Sequence, residues 1–260
     1  MGTSTHNRGQ NGRTPLVPSW LEQPDNDIQI PPDGDADRFR VPRNEFTRYI
    51  NSGGRDTSLG RRSISNYIKN SLGGSTNATH RLGAARKSSA KLIDFAGIYA
   101  SGGVEAVEKY FSIDNLSNRT ASNVFISLTN FICPDGGPQD EGIARDAYIS
   151  AIEETPELAE IKFEDLTSDQ FMIIVERTMA NVICNRITND IANKIIALPQ
   201  DQNTTKSLIS QIKDFVKGAV SDSVSHLNIK AGNLPQGDTL KIVDQVYKTS
   251  FDIMVSVGES

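Results

Sequence analysis

Apolar residues recur every three or four positions through most of this chain, and nowhere alternate with period two for long. The clearest run is TSDQFMIIVERTMANVICNRITNDIANKIIALP. In it Phe171, Ile174, Val175, Met179, Val182, Ile183, Ile187, Ile191, Ile195 and Leu198 form one stripe. That spacing predicts an amphipathic helix. Thr167 and Gln170 precede it at capping-box spacing, and Pro199 ends it. Two further stripes predict helices over about 204–227 and 238–257, the first through Leu208, Ile212, Phe215, Val216, Val220 and Val224, the second through Leu240, Val243, Val246, Tyr247, Phe251 and Met254. Residues 120–133 place Val124, Leu128, Phe131 and Ile132 on one helical face. Long helices joined by short turns imply a bundle.

The first third carries shorter stripes. Phe39, Phe46, Tyr49 and Ile50 lie at helical spacing and stop at Gly53-Gly54. Leu59, Ile64, Tyr67, Ile68 and Leu72 do the same and stop at Gly73-Gly74. Glycine just past the last apolar position is a helix stop signal. An Ala-rich basic stretch over 75–103 follows, and it favours either close helix packing or a solvent-facing first half. Residues 1–35 have no stripe. Pro15, Pro18, Pro24, Pro31 and Pro32 bias them to extended forms. The expected fold class is mainly α, a multi-helix bundle behind an extended, largely disordered N-terminal tail. The expected divisions are a flexible tail over 1–35, a basic helical region over 36–100 and an acidic helical bundle over 101–260.

Charge sharpens this division. The net charge of the 260 residues is −5. Residues 38–91 hold 12 Arg or Lys against Glu45 and Asp56, a net of +10, while residues 92–260 have a net of −11. A near-neutral total therefore conceals a strongly polar arrangement. Arg61, Arg62, Arg81, Arg86, Lys87 and Lys91 are the candidate contacts. They fit nucleic acid phosphates, an acidic protein partner or the chain's own acidic half.

Candidate chemistry is sparse. His6, His80 and His226 are isolated in sequence, and no H-E-x-x-H, G-x-S-x-G or Walker-type loop occurs. Cys133 and Cys184 belong to no C-x-x-C pair, so both are expected to be buried and reduced in a cytoplasmic protein. DGDAD at 33–37 opens like a calcium loop, but Arg38 and Asn44 stand where such a loop needs Gly and Glu, which leaves an acidic linker. The string CPDGGPQDEG over 133–142 reads as a glycine turn feeding a helix, with its acids at the positive helix end, or as a set of acid–base groups. No metal, cofactor or catalytic residue is assigned. The longest wholly apolar run is FMIIV at 171–175, so no membrane span is expected. The N-terminus has no apolar signal core, and His6 stands where a myristoylation pattern needs Ser or Thr.

One resemblance gives these features a direction. The opening Met-Gly-Thr-Ser and Arg13-Thr14-Pro15-Leu16-Val17-Pro18-Ser19-Trp20, Phe39-Arg40 leading to Phe46 and Ser52-Gly53-Gly54, and Leu59-Gly60-Arg61 resemble the B component of the bacterial Qat anti-phage system. So does Leu128-Thr129-Asn130-Phe131-Ile132-Cys133-Pro134-Asp135-Gly136-Gly137, running into Asp140-Glu141-Gly142-Ile143-Ala144-Arg145-Asp146-Ala147. The resemblance implies a non-enzymatic subunit working with an ATPase, a QueC-like enzyme and a TatD-like nuclease. It further implies that the Gly2 amine, freed by removal of Met1, accepts a deazaguanine-type acyl group. Thr3, Ser4, Thr14, Pro15, Trp20 and Leu21 would then be partner-binding residues, with Trp20 as the aromatic anchor. The runner-up is a nucleic-acid-binding adaptor that uses the basic helices over 38–91.

Overall fold

The computed structural model describes residues 36–133, 139–191, 202–233 and 238–260. The helices are α1 (Arg40–Asn51), α2 (Thr57–Asn66), α3 (Ser75–His80), α4 (Ala84–Phe111), α5 (Ala121–Ser127), α6 (Thr129–Ile132), α7 (Gln139–Glu153), α8 (Ser168–Asp190), α9 (Gln202–His226) and α10 (Thr239–Glu259). Among the described residues no strand forms, and the one β-type pairing is an isolated bridge between Thr120 and Lys162. The mainly α expectation therefore holds. The expected tail over 1–35 lies outside the described residues.

Local signals set the helix ends. Thr167 caps α8 in a full capping box, with Gln170 returning the bond to the Thr167 backbone. Asp56, Thr120 and Asp238 cap α2, α5 and α10 by accepting from the amides of Leu59, Asn123 and Lys241. The glycine stops of the first third all have positive φ, from +65° at Gly53 to +93° at Gly74.

Two layers of packing share one core. α8 is buried among α4, α7 and α9, while α10 packs on α2, α3, α4 and α9. Phe95, Tyr99, Phe125, Phe163 and Phe171 interlock at the centre, with Phe95 edge-on to Phe171 at 4.8 Å and Phe125 edge-on to Phe171 at 5.0 Å. Each such pair contributes about 1 kcal/mol beyond simple burial. The expected division at residue 100 falls inside α4, and buried side chains from Phe46 to Met254 belong to one continuous cluster. The charge boundary is thus not a packing boundary. A break inside α4 does occur, at Gly102-Gly103, where Gly103 has φ of +61°.

Buried tyrosines fasten segments distant in sequence. Each apolar ring sits in the core and its hydroxyl finds a polar group. Tyr67 donates to Asp190 at 2.6 Å, Tyr99 to the Phe163 and Leu166 carbonyls, and Tyr148 to the Phe125 carbonyl at 2.9 Å. Tyr247 pairs with the Ser89 hydroxyl at 2.8 Å. Burial pushes the Tyr67, Tyr148 and Tyr247 hydroxyls far above the ordinary phenol range, so all stay neutral.

Two helix expectations need correction. The 120–133 segment is not one helix, because it breaks at Leu128 into α5 and α6. The hydroxyls of Ser127 and Thr129 bond back to the carbonyls of Val124 and Ile126, and such local bonds compete with the helical ladder. Val124, Leu128 and Ile132 are buried as expected, but the break leaves Phe131 42% exposed. The stripe beginning at Phe171 is helical only to Asp190 among the described residues; Ile191 is buried beyond it, and Ile195, Leu198 and Pro199 lie outside them.

Candidate interaction surface

The structure sorts the six basic candidates into committed and exposed groups. Arg86 is committed: its guanidinium bonds both Asp244 oxygens, at 2.6 and 2.5 Å, joining α4 to α10. Lys91 donates to the Phe131 carbonyl at 2.9 Å and lies 5.4 Å from the Phe131 ring centre. Arg81 is half-buried between α3 and α4. Arg61, Arg62 and Lys87 are exposed. Internal complementarity therefore accounts for Arg86, and an ion pair between Lys69 and Glu259 adds a second link from the basic third to α10. It does not account for the α1–α2 hairpin. There Arg40, Arg48, Arg55, Arg61 and Arg62 all face solvent.

Small residues hold this hairpin against the body. A Cβ on Gly54 would stand 2.6 Å from the Leu208 side chain of α9, and one on Gly258 would stand 2.6 Å from the Arg61 carbonyl. Ser65 donates to the Val255 carbonyl of α10 at 3.4 Å, while within the hairpin Ser63 ties α2 to α1 by donating to the Pro42 carbonyl at 2.7 Å. At its inner end, Asp190 accepts from Tyr67 while its backbone carbonyl accepts from Arg43 at 2.8 Å.

Between α2 and α9 this docking leaves a groove of about 280 Å³. Tyr49, Gly60, Ile64, Ile212 and Phe215 form its apolar walls, and Thr57, Arg61, Gln211 and Asp214 its polar edge. The Arg61 guanidinium stands 5.7 Å from the Phe215 ring centre. The Gln211 carbonyl oxygen accepts from the Tyr49 hydroxyl at 3.0 Å, which fixes the amide.

The acidic half uses its charges differently. Glu154, at the end of α7, is bridged by Lys213 and Lys217 of α9, the second at 3.0 Å. Arg177 of α8 donates to the Glu154 carbonyl and the Thr155 hydroxyl. Burial works to raise the Glu154 carboxyl, but the two ammonium groups outweigh it and hold it below the usual carboxylate range. Burial raises the nearby Glu176, with a partial offset from the Ser221 hydroxyl. Cys133 and Cys184 are free and buried, as expected, and burial pushes the Cys184 thiol up to about 12. Such a thiol is a packing group rather than a nucleophile.

Sequence reasoning missed the Glu154 cluster and the Tyr67–Asp190 bond. The tyrosines on apolar stripes were the available signal, since each buried hydroxyl requires a partner. Among the described residues no group of three or more His, Cys, Asp or Glu converges as a metal site would. No described helix is long and apolar enough to cross a membrane. Gly2, Thr3, Ser4, Thr14, Pro15, Trp20 and Leu21 lie outside the described residues, as does 134–138 of the glycine turn.

Residues 73–254 match the family model described as Qat anti-phage system associated protein QatB. The chain belongs to the QatB family. No curated protein and no solved structure matched it. The matched segment contains the aromatic core, the Arg86–Asp244 pair, the Glu154 cluster, and Arg81, Lys87 and Lys91. Arg61, Arg62 and the whole α1–α2 hairpin lie N-terminal to the matched segment of the QatB model, as do the seven tail candidates.

Proposed function

We propose that this QatB-family chain is a non-enzymatic subunit of an anti-phage complex, one that offers its N-terminal tail to a QueC-like enzyme and holds the system's ATPase with its helical body. Membership of the family is the observation that carries this reading. The tail chemistry fits it. An α-amine has a pKa near about 8, so a useful fraction is neutral and nucleophilic at cellular pH. Gly2, Thr3 and Ser4 add little bulk beside that nitrogen. The QueC-like enzyme would use ATP to activate a deazaguanine carboxylate. The Gly2 nitrogen would attack the acyl carbon, an amide bond would form, the phosphate-linked oxygen would leave, and the amine would release one proton. Trp20 and Leu21 would anchor the tail outside that active site, since buried aromatics dominate interface energy. A TatD-like nuclease is a further expected partner.

Intact mass of the chain co-expressed with its operon tests this. We expect a mass increase confined to the N-terminal peptide and abolished by Gly2→Val. An unmodified N-terminus in a complex that still protects against phage removes the acceptor role.

The exposed arginines of α1 and α2 favour one second reading, a nucleic-acid-binding adaptor. It requires DNA or RNA affinity that falls steeply with salt, with a smaller slope for Arg61→Ala and Arg62→Ala. Salt-independent or undetectable binding eliminates it.

A further inference from the structure

The groove between α2 and α9 combines an apolar interior with Arg61 on its edge, on a hairpin rich in exposed arginine. Within residues 40–62 five arginines are exposed, Arg40, Arg48, Arg55, Arg61 and Arg62. The two acids of that segment are engaged: Glu45 accepts from the Asn66 amide at 2.8 Å, and Asp56 caps α2. From this pairing we infer that the groove docks an acidic segment of a protein partner, which inserts one apolar side chain between α2 and α9. The inference rests on the reading of the chain as a complex subunit and adds to it the surface used and the chemistry it selects.

Size and hydrogen bonding fix the details. A volume of about 280 Å³ accommodates one large aliphatic or aromatic side chain against Ile64, Ile212 and Phe215. Burying such a chain in a preformed slot is what an interface hot spot requires. The Tyr49 hydroxyl holds the Gln211 oxygen, so the amide nitrogen is the end left to donate to a carbonyl of an extended segment. The carboxylates of the segment then meet Arg61 and Arg62, where opposite charge speeds encounter and sets register.

A nucleic acid fits the same groove less well. Nonspecific strand binding relies on open aromatic faces for base stacking. Here the Tyr49 ring is 2% exposed, and the half-buried Phe215 ring already carries Arg61. Asp214 at the edge repels phosphate and carboxylate alike, so the acids of the segment must lie on the α2 side of the groove, at Arg61 and away from α9.

The test places a photoreactive p-benzoylphenylalanine at Thr57, an exposed residue on the groove edge. Exposed Lys87 serves as the control position. The full chain is assembled with the other products of its operon, purified, irradiated and mapped by mass spectrometry. We expect position 57 to cross-link a segment of another subunit in which an apolar residue is flanked by Asp or Glu. Reversing Arg61→Glu and Arg62→Glu together should lower the yield at least about tenfold. Exchanging the partner's acids for Lys should restore it. Cross-links to nucleic acid, to a second copy of this chain or to a neutral or basic segment overturn the inference. So does silence at position 57 in an intact complex, which leaves the subunit reading standing. A chain that co-purifies with no component overturns both.

Discussion

The α1–α2 hairpin and the α7–α8–α9 assembly handle charge in opposite ways. In the hairpin, five arginines face solvent while glycine contacts, serine hydroxyls and buried rings do the holding. In the assembly, one carboxylate gathers two lysines across a helix interface, and an arginine ties down the adjacent backbone. A summed charge treats these alike, yet only the first kind is available to a partner. The half-buried kind stabilises the fold, because removing either member strands a charge in a low-dielectric place.

The comparison breaks most severely if the hairpin is pried from α9. Gly54 has φ of +76°, and a Cβ there would meet Leu208 at 2.6 Å. Gly54→Val adds a β-branched residue in the left-handed region and overpacks the contact. We expect a loss of about 3 kcal/mol, from backbone strain and overpacking together. Hydrogen exchange should show protection falling in α1 and α2 well before α8. Uniform loss across both regions would mean that the hairpin is not a separable layer.

The next effect belongs to the acidic side. Glu154→Gln leaves Lys213 and Lys217 without their counter-charge, which should cost about 2 kcal/mol. The pH dependence gives a second readout. The folded-state pKa of Glu154 lies below its unfolded value, so its stabilisation is complete at neutral pH. It disappears as pH falls past about 4, the unfolded value, and through the folded one. The wild type should therefore lose more Tm between pH 6 and pH 3 than Glu154→Gln does. Parallel curves would assign the acid sensitivity to other carboxylates.

Much of this architecture was legible in the sequence, for identifiable reasons. The stripe through Phe171, Val175, Val182 and Ile187 is long and periodic, so the core helix is a consequence of spacing alone. The capping box at Thr167 and the glycine stops at 53–54 and 73–74 are local chemistry, readable within a few residues. The break at Leu128 depended on which way the Ser127 and Thr129 hydroxyls turned, and periodicity carries no information about that. The candidate surface was the least legible. Arg61 and Arg86 look equivalent in sequence, and what separates them is Asp244, 158 residues beyond Arg86. The groove likewise needed α2 and α9 side by side, with Gly60 leaving space beside the Tyr49 ring.

The smallest predicted effect is the one that defines an available charge. Arg62 donates to the Ser58 hydroxyl at 3.4 Å, lies near the carboxylate of Asp56, and is exposed to solvent. Truncation at such a site changes stability by no more than about 0.5 kcal/mol. Arg86 is the matched opposite. Its fork closes on both Asp244 oxygens, and the two side chains are 14% and 28% exposed. Arg86→Ala should cost about 1–2 kcal/mol, because the aspartate is left half-buried and unpaired. Urea melts of Arg62→Ala and Arg86→Ala at one salt concentration measure the gap directly. Equal losses would show that Arg62 is a structural charge, and the cationic ledge beside the groove would shrink accordingly. A neutral Arg62→Ala makes any partner-binding defect of that variant attributable to the surface itself, since the fold beneath it is unchanged.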